Sequence, residues 1–136
     1  MLPLVGLSFM DRGVTVCIVE DDEAVRDSMR ILVESYGHAV RDYPSALAYL
    51  NDRGETEPGC LLLDLHMPGM DGLELVELLR SRHIQTPAII ITGGKDQTVD
   101  QRVRKAGVLA LLSKPVADSE LIGWIEQALD ARNPAH

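Results

Sequence analysis

Short apolar runs alternating with stretches of helical periodicity constrain this chain more than any other feature. Val14–Val19 is a continuous, largely β-branched run, and Cys60–Leu63, Ala88–Ile91 and Val108–Leu112 are equally apolar. Ala39–Tyr43 reads as a shorter second strand. Between the runs lie helical patterns. Glu23–Tyr36 spaces Val25, Met29, Leu32 and Val33 along one face and stops at Gly37. Pro44-Ser45 opens a helix over Ala46–Asn51, and the polar loop Asp52–Gly59 follows it. After the loop His66–Asp71, Gly72 begins a helix with Leu73, Val76, Leu79 and also Leu75 as its stripe, and Thr86-Pro87 turns the chain into the next run. Lys95–Ala106 is a sparser helix anchored by Val99, Val103 and Ala106 and ended by Gly107. Asp118 or Ser119 is expected to cap the last helix, which runs through Leu121, Ile122, Ile125 and Leu129 and ends at Asn133-Pro134.

Strands joined by helical crossovers give a parallel sheet covered on both faces, with right-handed connections. The expected fold is therefore α/β: a doubly wound, flavodoxin-like (βα)5 unit with five strands. Its length of 136 residues suits one domain. The expected boundaries are an N-terminal extension over 1–13, the folded domain over 14–132 and a tail over 133–136. Aromatic residues make up only 4% of the chain, so the core must come from Val, Ile, Leu and Ala. A net charge of −8 without a Lys/Arg run argues against direct nucleic-acid or anionic-membrane binding. The apolar start, MLPLVGLSFM, has no basic flank and is too short to span a bilayer, so a cytoplasmic protein is expected. Cys17 and Cys60 lack any ligand spacing and are expected to be buried, reduced thiols.

Ligands of such sheets collect at the carboxyl ends of the strands. There the sequence places Glu20, Asp21 and Asp22 after the first strand, Asp64 after the third, Thr92 after the fourth and Lys114 after the fifth. Each alone has an ordinary reading as a helix cap, a turn residue or an exposed charge. Together they form a chemical set. Two carboxylates about 4 Å apart repel by on the order of 4 kcal/mol at an effective dielectric near 20, so a cation is needed among them. Mg²⁺, which takes one or two carboxylates plus waters and phosphate oxygens, fits that need, and Mn²⁺ could replace it. A carboxylate beside a metal and an ammonium can act as a nucleophile in phosphoryl transfer. Asp64 suits that role because it ends an apolar strand and precedes a Pro/Gly loop.

These residues carry a family resemblance. Ile18-Val-Glu-Asp-Asp22, Leu62-Leu-Asp-Leu-His-Met-Pro-Gly-Met-Asp-Gly72, Ile90-Ile-Thr-Gly-Gly94, and Ala106-Gly107 with Leu112-Ser-Lys-Pro115 resemble response-regulator receiver domains over about Val14 to Ala131. The second motif is the most specific. Val25-Arg-Asp-Ser28 is similar to receivers of the nitrogen-fixation regulator type, which precede a helix-turn-helix.

The resemblance implies phosphorylation of Asp64, with Glu20, Asp21, Asp64 and the His66 backbone carbonyl at the metal. Which two of the acids over 20–22 serve stays open by one position. Thr92 would hydrogen-bond the phosphoryl oxygen, and Lys114, aimed by a cis bond to Pro115, would pair with it. Implied partners are a sensor histidine kinase or phosphotransfer protein, a downstream effector or C-terminal output domain, and a second copy through the fourth helix, fifth strand and fifth helix. Such a chain would catalyse only its own phosphoryl transfer and dephosphorylation.

Two positions depart from the family pattern. Leu111 stands three residues before Lys114, where the family usually has Tyr or Phe as a rotamer switch; it is expected to be a packing residue. His66, two residues past Asp64, is either an exposed loop histidine or a side chain that sets the lifetime of the phosphorylated state. Two rival functions have identifiable marks. A haloacid-dehalogenase-type magnesium phosphatase needs a second Asp where His66 stands. A pseudo-receiver would keep the fold and work through partners without phosphorylation.

Overall fold

A computed structural model describes residues 15–52, 57–94 and 97–132. The N-terminal extension, Lys95 and Asn133-Pro134 lie outside the described residues. The described chain runs β1 (Val16–Val19), α1 (Glu23–Ser35), β2 (Val40–Tyr43), α2 (Ala46–Asp52), β3 (Cys60–Asp64), α3 (Gly72–Ser81), β4 (Ala88–Thr92), α4 (Gln97–Lys105), β5 (Ala110–Ser113) and α5 (Asp118–Arg132). All strand pairs are parallel, in the order β2-β1-β3-β4-β5. The order reverses at β1, so the crevice between the carboxyl ends of β1 and β3 is where such a sheet offers a site.

The apolar runs are buried on both sides because side chains of a strand alternate between faces. Cys17, Val19, Leu61, Leu63, Ala88 and Ile90 meet α2, α3 and α4, whereas Val16, Ile18, Cys60, Leu62, Ile89, Ile91 and Leu112 meet α1 and α5. Fully burying one such aliphatic side chain stabilises the fold by about 1.5–3 kcal/mol. The two cysteines are free and buried on opposite sides of the sheet, and burial pushes the thiols up to about 11 for Cys17 and about 12 for Cys60.

Local chemistry sets the helix ends. Asp22 caps α1 by accepting from the Val25 N–H, and Ser45 Oγ accepts from the Ala48 N–H at the start of α2. Asp71 and Glu74 form a reciprocal capping box on α3. The last helix departs from expectation: Asp118 lies within its first turn, and the Leu121 N–H bonds to the Ala117 carbonyl. The fifth strand also departs, beginning at Ala110 rather than Val108. Gly107, at φ 69°, gives its N–H to Arg104 O, while Val108 gives its N–H to Val103 O. Those two bonds form a Schellman closure of α4, which retains Val108 in the helix cap.

Candidate functional site

Glu20 follows the last residue of β1 and is 1% exposed; Asp64 ends β3 and is 5% exposed. Asp21 lies beside them in solvent. One carboxylate oxygen from each of Glu20, Asp21 and Asp64 falls within 4.8 Å of the others. Asp22 stands apart from this group because its Oδ1 is engaged by the Val25 N–H at 3.0 Å, which also keeps it at the favourable positive end of α1. The Asp22 backbone N–H still contributes to the site, donating to Glu20 Oε2 at 3.0 Å. Arg26 ties α1 to the same loop, its Nη1 donating to the Glu20 carbonyl at 2.8 Å. Nothing in the sequence spacing signals that tie.

Glu20 Oε1 is buried without a hydrogen-bond partner. Burial pushes the Glu20 carboxyl up to about 7; the Asp22 N–H bond opposes the shift, and the neighbouring Asp64 and Asp21 carboxyls reinforce it. An unpartnered buried oxygen within a triad of oxygen donors is the environment that a hard divalent cation would satisfy, so the residues fit Mg²⁺. The backbone of His66 also reaches the triad, its N–H lying 3.4 Å from Asp64 Oδ1.

Lys114 reaches the same carboxylate from the end of β5. Its Nζ lies 3.7 Å from Asp64 Oδ1, its backbone N–H donates to Thr92 O at 2.8 Å, and its bond to Pro115 is cis. Thr92 ends β4 and is buried, but its hydroxyl is held by its own loop: Oγ1 donates to Gly94 O and accepts from Gly94 N–H, each at 3.2 Å. The exposed His66 ring reaches the same hydroxyl, with Nε2 at 3.4 Å.

The loop after β3 needs two glycines. Gly69 has φ 77°, a region L side chains rarely adopt. A Cβ on Gly72 would lie 2.5 Å from the Asp64 carbonyl oxygen, so only glycine lets α3 begin against the end of β3. Leu111 is half-buried and packs against the side of the sheet covered by α2, α3 and α4, as a packing residue would.

The family model of the response regulator receiver domain matches residues 16–126. The response regulator protein TmoT of Ectopseudomonas mendocina is 39% identical over 119 residues, covering 88% of this chain and 54% of that protein. The transcriptional regulatory protein FixJ of Rhizobium meliloti is 39% identical over 114 residues, covering 84% of this chain and 56% of FixJ. This chain thus spans about half the length of the curated relatives it matches. The crystal structure of FixJ-N superposes with a TM-score of 0.78 at 38% identity, over 85% of this chain and 93% of that one. A CheY-like receiver from Methanospirillum hungatei superposes at 0.81 with 27% identity, covering 90% of this chain and 98% of its own. In fold, strand-end acidic cluster and sequence, the chain belongs to the response regulator receiver domain family of two-component systems.

Proposed function

We propose that the chain accepts a phosphoryl group on Asp64 in a Mg²⁺-dependent reaction and changes its interactions in response. The observation that carries this reading is the Asp64 carboxylate set between two other carboxylates within 4.8 Å and the Lys114 ammonium at 3.7 Å. An Asp64 oxygen attacks phosphorus as the bond to the donor's leaving nitrogen or oxygen breaks, leaving an aspartyl phosphate. Glu20, Asp21, Asp64 and the His66 carbonyl would hold Mg²⁺, or Mn²⁺, which supplies charge neutralisation at the phosphoryl oxygens. Lys114 neutralises them from the other side, and Thr92 donates its hydroxyl after leaving Gly94.

The donor in the cell is a sensor histidine kinase or phosphotransfer protein, and the chain's catalysis extends only to its own phosphoryl transfer and dephosphorylation. Because the FixJ relatives are transcriptional regulators about twice as long, the output we propose runs through an effector partner or an attached output domain rather than this segment's own contact with DNA. The surface of α4, β5 and α5 is the proposed contact for a second copy. The folded unit is proposed to occupy 14–132 and to work in the cytoplasm; among the described residues no helix is long and apolar enough to cross a membrane.

Incubation with a small acyl phosphate and Mg²⁺ tests the reading. The intact mass should rise by one phosphoryl group, and neither Asp64→Asn nor chelated parent should gain it. An unmodified parent would favour the pseudo-receiver alternative, and normal metal-dependent uptake by Asp64→Asn would refute the site.

A further inference from the structure

The Thr92 hydroxyl has one proton and two lone pairs, and its surroundings account for all three. The proton goes to Gly94 O, one lone pair takes the Gly94 N–H, and the remaining neighbour is His66 Nε2 at 3.4 Å. With the hydroxyl proton directed to Gly94 O, the arrangement is completed by the imidazole tautomer protonated at Nε2, which donates to the remaining lone pair. His66 is exposed and Thr92 is buried, so the contact joins a surface residue to one at the end of an interior strand. Its backbone N–H meanwhile sits 3.4 Å from Asp64 Oδ1, so one residue bridges the phosphoryl-accepting strand and the strand carrying Thr92.

We infer that His66 is a positioning residue for Thr92: its ring holds the hydroxyl in the hydrogen bonds with Gly94 and so sets how readily Thr92 transfers to a group on Asp64. The inference rests on the phosphorylation reading for its consequence but not for the contact itself. Thr92 must give up Gly94 O before it can donate to a phosphoryl oxygen. Any interaction present only in the resting arrangement lowers the fraction of protein in the switched one. A hydrogen bond of ordinary net strength corresponds to a roughly two- to ten-fold change in that equilibrium.

The test has two arms. In the first, without metal or phosphoryl mimic, amide chemical shifts and hydrogen exchange of Gly94 are compared among the parent, His66→Ala and His66→Gln. His66→Ala should move the Gly94 resonance and speed its exchange, and His66→Gln, whose amide can donate to the same hydroxyl, should restore much of both. A Gly94 amide indifferent to His66→Ala overturns the inference. In the second, beryllofluoride with Mg²⁺ is titrated into the full chain. His66→Ala should bind it roughly two- to ten-fold more tightly than the parent, and the gain should vanish in a Thr92→Val background. Equal or weaker binding by His66→Ala, or a gain that persists with Thr92→Val, overturns the switching role. If the parent fails to bind beryllofluoride, the phosphorylation reading fails and takes the switching role with it, while the Gly94 arm still decides whether His66 holds Thr92.

Discussion

Glu20 shows how much one residue's surroundings can change its chemistry. Burial favours its neutral form in the fold, whereas the unfolded chain exposes an ordinary carboxyl near 4.5. A raised folded value means that its contribution to stability is complete below about 4.5 and is lost as pH rises through about 7. Denaturant melts of the chelated protein should therefore show stability falling across that window. Glu20→Gln, which keeps the shape and removes the ionisation, should flatten the profile and abolish stabilisation by Mg²⁺; a variant that keeps the parent's pH slope would show that the slope arises elsewhere.

Elements of the fold are joined by contacts of different strength. Arg80, at the end of α3, donates to the carbonyls of Ala106, Ile84 and Thr86 at 2.8, 2.8 and 2.9 Å, and burial lowers its basicity. Arg80→Ala leaves three part-buried carbonyls without their charged donor and should cost roughly 2–3 kcal/mol by chemical denaturation. Arg102 pairs with Glu77 across α3 and α4 on the exposed surface, so its removal should change stability little. Both contacts tie the second half of α4 to α3, a restraint that its few apolar anchors did not suggest. Because Leu111 offers no aromatic exchange, the proposed response is expected to run through the backbone of the β4–α4 connection. Beryllofluoride should therefore shift amides most from Gly93 through the first turns of α4, with the effect fading toward Ala106; shifts confined to the neighbours of Asp64 would refute that route. At the other end of α3, Gly72→Ala would force its Cβ against the Asp64 carbonyl, and should cost about 1–3 kcal/mol and weaken the metal response together.

For the molecule as a whole, the clustered carboxylates of Glu20, Asp21 and Asp64 are expected to oppose folding until the proposed cation binds them. A ligand that binds only the assembled triad stabilises the native state by mass action, about 1.4 kcal/mol at a free concentration ten times Kd. Melting temperature should rise by a few degrees with Mg²⁺ or Mn²⁺, and Asp21→Asn should blunt the rise while leaving the metal-free transition cooperative. The same rise in Asp21→Asn as in the parent would remove Asp21 from the metal site. The net charge of −8 leaves the long-range field unsuited to nucleic acid.

Period and order along the chain determined the sequence of strands and helices, the doubly wound sheet, and the gathering of Glu20, Asp21, Asp64, Thr92 and Lys114 at one edge. Local patterns suffice for that because strand ends in a parallel sheet all face the same way. The Asp71-x-x-Glu74 spacing of a capping box also stands in the sequence, one residue ahead of the helix start that Gly72 alone suggests. Tertiary structure decided the rest. It engaged Asp22 in capping α1 and left Glu20 and Asp21 beside Asp64, a choice that adjacent acids in a sequence cannot make for themselves. It brought the His66 ring to Thr92 and Arg80 to Ala106, pairs separated by 26 positions. It also buried Glu20, which pushes its carboxyl above the ordinary carboxylate range. These outcomes depend on which surfaces exclude water and which atoms meet across the fold, and both are settled only when the helices close over the sheet.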